Sequence, residues 1–354
     1  MREIRLIVAM VHGERMTRPA IWFPTVRVGT GTDIFTTRLA NALESRGIKT
    51  KIDWMPHRAE FAPWSVEPPR APDWANIAHI NSRLDSRFIP DHLLTVATLH
   101  SYVYDPALLP YKSLAQSLYH RFWVMRQEAH ALHYATAVTA VSRYAAQQAE
   151  HFFGRQGIIA IPNWIDTDLF SPDRRQQPHR PFRLFFAGGA KRLKGVDLLP
   201  EIMRRLGPDF VLYYTGTRDE FAHIAPLSEN MVALGRQEGD AAMADAYRQC
   251  DALLFPTRLE GFGLVALEAQ ACGRPVIASN CSALPEVVLD GQTGLLCQVD
   301  DIEAFVQAVR RVRDEPLLWQ RMGAAGRAHV EHNFTEDPAI QRYLEVYSRC
   351  LAAP

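Results

Sequence analysis

This 354-residue sequence lacks long apolar runs, an excess of charge, paired cysteines and, for the most part, lysine. No window approaches the roughly 18 consecutive apolar residues a membrane-spanning helix needs, so none is expected. Lys+Arg and Asp+Glu both total 39, and a nucleic-acid binder that neutralises phosphates needs a basic excess. No nucleic-acid partner is expected. Through residue 170 the count is 18 basic against 15 acidic residues, too small a tilt to name any partner. The five cysteines (Cys250, Cys272, Cys281, Cys297, Cys350) form no CxxC, which suits buried thiols in a reducing cytoplasm better than a disulfide framework or zinc site. The opening MREIRLIVAMVHGER has no small-residue cleavage site and reads as a first buried strand, with a cytoplasmic location following. Only Lys49, Lys51, Lys112, Lys191 and Lys194 are lysine, and the last two share one Gly-rich turn.

Against those absences stands a steady alternation of short apolar runs and helix-period segments. Strands are expected at 4–10, 50–55, 76–80, 93–99, 137–141 and 157–161, then at 182–188, 210–216, 231–235, 252–256, 275–279 and 294–298. Helices lie between them, notably 32–47, ended by Gly47, and a long one over about 111–134. Such alternation predicts α/β architecture with parallel sheets covered on both faces. The polar, Pro-containing SPDRRQQPHRP (171–181) reads as a linker between two doubly wound domains that face each other across a cleft. The expected division is 1–170, 171–335 and a terminal helix, 336–354, with Ile340, Tyr343, Leu344 and Tyr347 on one face. A Pro-rich loop (Pro56, Pro63, Pro68, Pro69, Pro72) resists regular assignment.

Ligands of open α/β sheets bind at the carboxyl ends of strands. The richest such place is ALLFPTRLEGFGLVALEAQACGRPVIAS (252–279): a strand ends at Pro256, Glu260 lies in a loop, and Gly261, Phe262 and Gly263 open a helix bearing Glu268. The glycines admit close backbone approach, helix-start amides favour phosphate, and two spaced carboxylates accept from sugar or ribose hydroxyls. Counted from Glu260, Glu268 is expected about two turns into the helix, reaching a diol from the same side. The turn AGGAKRLKG (187–195) offers Lys194 as a point charge and Arg192 as a fork for a diphosphate.

EGFGLVALEAQACGRPVIAS followed by LPEVVLDGQTGLL resembles the signature of family-4 retaining glycosyltransferases of the GT-B fold, with its E-x7-E pair. AVSRYAA, IPNWID..LF and AGGAKRLKGVDLL occupy the family's order. The resemblance implies Glu260 on the donor sugar, Glu268 on the nucleotide ribose, and the amides of Gly261, Phe262, Gly263 and Leu264 facing sugar and diphosphate. It implies His100, after the strand 93–99, facing the donor across the cleft, and Gly29 and Gly31 in VRVGTGTD forming the first domain's Gly loop. It further implies a C-terminal helix crossing back to the first domain, no metal, a nucleoside-diphosphate sugar as donor and a glycan or lipid-linked acceptor. Three positions depart from the family: Gly189 where arginine is usual, with Arg192 the candidate replacement; Ser101 for Asp after the histidine; and Trp164 for Gly.

Other residues invite rival readings. Asp53 lies about 20 residues past the GxG, as a dinucleotide's ribose acid would, but GTGTDI lacks a third glycine and the glycines stand far beyond the strand expected at 4–10. His79 is a weaker catalytic candidate. The Asp166–Asp168 pair reads as structural. Six of seven tryptophans precede residue 165, chiefly for core packing. YKSLAQSLYHRFWVMR (111–126), mixing aromatics with Lys112, Arg121 and Arg126, suits a peripheral contact with an anionic bilayer. The function expected is retaining, metal-independent sugar transfer in bacterial cell-envelope or exopolysaccharide synthesis. A GT-B epimerase or phosphorylase and a non-catalytic nucleotide-sugar binder are the alternatives.

Overall fold

The computed structural model describes residues 18–352, so the strand expected at 4–10 lies outside the described residues. Among the described residues two six-stranded sheets carry the fold, every pairing between named strands being parallel. The first contains β1 (Ala20–Val26), β2 (Lys49–Met55), β3 (Ile77–Asn81), β4 (Leu94–Leu99), β5 (Ala137–Ala140) and β6 (Ile159–Ala160), in the order β2-β1-β3-β4-β5-β6. The second contains β7 (Phe182–Phe186), β8 (Phe210–Tyr214), β9 (Met231–Ala233), β10 (Ala252–Phe255), β11 (Val276–Ser279) and β12 (Gly294–Cys297), in the order β12-β11-β10-β7-β8-β9. That second order is the one dinucleotide-binding sheets use, with its switch point between β7 and β10.

Strand β1 is unanticipated in sequence because Pro24 interrupts it. Its order in the sheet corrects the argument against a dinucleotide site: the glycines at 29 and 31 follow the strand Ala20–Val26 directly. What speaks against that site is Asp53, whose carboxylate is taken by the Trp22 indole N–H at 2.7 Å and by Lys51 at 2.9 Å. The Gly loop is folded by Asp33, which accepts the amides of Val28 and Gly29 at 3.1 and 2.8 Å. The helix Gly31–Ser45 follows and ends before Gly47, whose φ of +72° favours glycine.

The stretch 114–134 runs as one continuous helix, through Leu114–Leu118, a π segment Tyr119–Val124 and Met125–Tyr134. The Pro-rich loop adopts short 3₁₀ turns at His57–Glu60 and Pro63–Ser65. The terminal helix Glu336–Ala352 crosses back to the first sheet: Ile340, Tyr343 and Tyr347 are fully buried in one core with Ile21, Phe23, Phe35 and Val96. Trp164 occupies that core too, its ring 6.2 Å from Phe35 and 6.5 Å from Tyr343, so the residue that replaces the family's glycine fills the junction. The five cysteines are free thiols, four of them buried.

Candidate active site

Lys194 and Glu260 meet at the switch point of the second sheet. Lys194 closes the turn after β7, Glu260 lies in the loop after β10, and the ammonium donates to Glu260 Oε1 at 2.6 Å. The loops interlock tightly. A side chain on Gly195 would place Cβ 1.9 Å from the Pro256 carbonyl oxygen, and the φ of +72° there also calls for glycine. Thr257 Oγ1 donates to the same Glu260 oxygen at 3.0 Å, and the Glu260 amide donates to Ser282 Oγ at 2.8 Å. Ser282 holds a φ of +46°, a strained backbone for serine kept beside the site.

Arg258 braces these loops. Its buried guanidinium spans Asp197 at 2.7 and 3.0 Å and Asp300 at 2.7 Å, lies over the Tyr111 ring, and donates to the Arg192 carbonyl. The arginine expected on the diphosphate behaves differently. Arg192 is exposed, its side chain has no hydrogen-bond or ion-pair partner among the described residues, and its backbone is what Arg258 grips. Gly189 is exposed, with open space about its Cβ position.

The helix Leu264–Ala271 starts after Gly263, whose φ of +101° favours glycine. Glu268 is therefore just over one turn in, not two, because Gly261–Gly263 form the turn itself. It is also buried rather than on a solvated helix face, and its Oε2 accepts from Tyr247 Oη at 2.9 Å. Burial pushes its pKa up to about 7, against the Tyr247 hydrogen bond and the Arg38 charge, which pull it down. The Phe262 ring is buried against Phe334 at 5.7 Å, which leaves only its backbone for a ligand.

The first sheet meets this site through His100 and the Gly loop. Gly261 packs so closely on His100 that a Cβ would lie 1.8 Å from the histidine carbonyl oxygen, and a Cβ on Gly31 would stand 4.0 Å from Leu264. Two further hooks cross between the halves. Ser142 Oγ donates to the Gly261 carbonyl at 2.7 Å, and Glu286 accepts the amides of Arg143 and Tyr144 at 2.9 and 2.7 Å. A void of about 10 Å³ lined by Phe35, Arg38, Trp164 and Leu264 lies at this junction. Burial, with the Arg83 charge adding to it, lowers the His100 pKa to about 3, so the imidazole is neutral at pH 7. His79 lies beneath, fully engaged with Tyr347 Oη at 2.6 Å and Thr98 Oγ1 at 2.7 Å, which makes it a core residue. Asp166 accepts the amides of Asp168 and Leu169 and is a turn former.

The structure thus brings Glu260, Lys194, Gly261, Leu264, His100 and Gly31 together and leaves the Arg192 side chain apart. Sequence reasoning missed Ser282, Thr257, Ser142, Glu286 and Arg258. Thr257 and Arg258 lay in the run 252–279, Ser142 in AVSRYAA and Glu286 in LPEVVLDGQTGLL, whereas Ser282 lay outside every motif. Chemically, the site sets a cation beside a carboxylate at a helix start, and so can take a phosphate and sugar hydroxyls together.

Residues 181–315 match the family described as Glycosyl transferases group 1, and residues 71–169 match Glycosyltransferase Family 4. A D-inositol 3-phosphate glycosyltransferase of Streptomyces avermitilis is 41% identical over 244 residues, 61% of this chain and 52% of that protein. A GDP-mannose-dependent alpha-(1-6)-phosphatidylinositol monomannoside mannosyltransferase of Mycolicibacterium smegmatis is 34% identical, over 60% of this chain and 62% of that one. The chain spans about half the length of the curated relatives it matches. In fold it is similar to sucrose-phosphate synthase from Thermosynechococcus elongatus, with a TM-score of 0.78 at 19% identity over 95% of this chain and all of that one.

Proposed function

From a chain that belongs to the family-4 glycosyltransferases, we propose a retaining, metal-independent transfer of a sugar from a UDP- or GDP-sugar to a glycan or glycolipid acceptor. The observation that carries this reading is the Lys194–Glu260 pair, set at the switch point of the second sheet and closed over by His100 and the Gly loop. Residues 171–335 bind the donor; residues 1–170 and 336–354 form the acceptor side. Glu260 takes the sugar hydroxyls. Lys194 and the amides of Gly261 through Leu264 take the diphosphate, and Glu268 the ribose. As the glycosidic bond breaks, negative charge grows on the diphosphate, and the Lys194 ammonium and those amides stabilise it more than they do the intact donor. The acceptor hydroxyl attacks from the face the phosphate leaves and gives its proton to a phosphate oxygen.

No helix among the described residues is long and apolar enough to cross a membrane. A peripheral contact with the cytoplasmic face of the inner membrane is supported by Leu114, Leu118 and Phe122, which stand 78%, 52% and 67% exposed at four-residue spacing with Arg121 alongside. Lys112 does not contribute, because its ammonium is spent on the Val103 carbonyl. The role that fits is assembly of a cell-envelope glycan.

The test is thermal stabilisation by a panel of UDP-, GDP- and ADP-sugars, with and without EDTA. Selective stabilisation of about 2.7 kcal/mol at a hundred times the Kd, unchanged by EDTA, is the expected result. No stabilisation by any of them overturns the donor assignment. Glu260→Ala then separates an enzyme, in which turnover is lost, from a binder, in which only affinity changes.

A further inference from the structure

We propose that the acceptor-side half carries a second ligand site, built for a phosphorylated sugar, in a cavity that shares no lining residue with the Lys194–Glu260 cleft. The cavity holds about 420 Å³, within the range of small-molecule sites. It lies between the loop after β2, the loop after β3 and the helical run 114–134. The loops after β2 and β3 leave the carboxyl edge of the first sheet, as His100 does after the neighbouring β4.

Two tryptophans form its apolar wall, Trp64 and Trp123, edge to face at 6.1 Å. The Trp123 indole N–H is committed to the Glu60 carbonyl at 2.8 Å, which fixes its ring; Trp64 is left 66% exposed. Trp123 sits in the π segment Tyr119–Val124, an irregularity frequently found at functional sites. Indole faces of this kind pack on the C–H faces of sugar rings. The same cavity is lined by Arg87, Arg126 and His130. Neither arginine side chain has an ion-pair or hydrogen-bond partner among the described residues. The one carboxylate in the lining, Asp85, is already spent on Gln127 Nε2 at 2.6 Å and the Arg87 amide at 3.0 Å. Unpaired guanidinium groups beside indole walls suit an anionic oxygen cluster attached to a sugar: the arginines can form forked bonds to phosphate and the indole faces can take the ring.

Calling this ligand the acceptor rests on the transferase reading, but its binding does not. The experiment is a calorimetric and tryptophan-fluorescence titration with glucose 6-phosphate, with glucose and inorganic phosphate as separate probes. Glucose 6-phosphate should bind saturably and at least about tenfold more tightly than either part. Arg87→Ala and Arg126→Ala should each weaken it about tenfold, the worth of one charge-assisted contact. Trp64→Ala, at an exposed position that leaves the core intact, should weaken it as well. Competition by vesicles bearing phosphatidylinositol would assign the phosphorylated ring to a lipid headgroup; its absence would assign it to a free sugar phosphate. No saturable binding of glucose 6-phosphate or vesicles, or equal binding by the double arginine variant and the wild type, overturns the site. Nucleotide-sugar stabilisation measured on the same preparations reports on the donor reading separately.

Discussion

The His100 carbonyl oxygen occupies the place a side chain on Gly261 would need, 1.8 Å from where Cβ would stand. This contact joins the two halves of the molecule one residue from Glu260. Gly261→Ala should therefore force the halves apart while leaving both sheets folded. We expect unchanged circular dichroism, a larger radius of gyration in solution scattering, and transfer activity down about 100-fold, the cost of misplacing reacting groups by about an ångström. Unchanged activity would mean the contact is dispensable for assembling the site.

Lys194 and Glu260 should behave as a unit. Each alanine variant is expected to lower kcat by about 100-fold or more, and the double variant by little beyond the worse single one. Both side chains are mostly buried, at 29% and 11% exposure, so melting curves must accompany the kinetics. A pair that merely braces the loops would lower the melting temperature and spare turnover per folded molecule.

The strands of the second sheet were legible because each is a short, largely apolar run ended by turn residues, as ALLFP is before Thr257. Strand β1 was not, since Pro24 within AIWFPTV argues against a strand by local rules; its pairing with β2 overrides them. Glu260 and Lys194 were legible as types at a strand exit, but their direct pairing was not, because 66 residues separate them. Arg192 shows the limit of motif reading: a cation in the right turn faces solvent once Arg258 holds its backbone. Glu268 shows the same limit, as burial beside Tyr247 comes from the helix starting at Leu264 rather than at Gly261.

Glu268 predicts a pH signature. Its pKa is raised to about 7 from an ordinary 4.5, so between those values the folded protein binds more protons than the unfolded chain. Stability then falls as pH rises through that window, by up to about 3 kcal/mol, and levels off above pH 7. Glu268→Gln, which keeps the Tyr247 hydrogen bond, should remove that fall in denaturant titrations. Because a ribose diol needs the carboxylate as acceptor, nucleotide affinity in wild type should drop about tenfold per unit below pH 7. Calorimetry with UDP and GDP across pH 5–8 checks it.

His79 and His100 predict the opposite slope. Burial lowers both to about 3, with the Arg83 charge adding to it at His100, so between pH 3 and 6.5 the unfolded chain binds the extra protons. Their contribution to stability is complete above pH 6.5 and is lost as pH falls toward 3. His79→Phe should flatten this acid limb, at a cost of about 1–3 kcal/mol near neutrality for the Tyr347 and Thr98 hydroxyls left behind. The activity profile distinguishes the groups further. With His100 neutral throughout the working range, any loss of turnover below pH 7 belongs to Glu268 and should vanish in Glu268→Gln. An acid limb near 6.5 that survives that substitution would place a titrating imidazole in the site, and the neutral His100 would have to be abandoned.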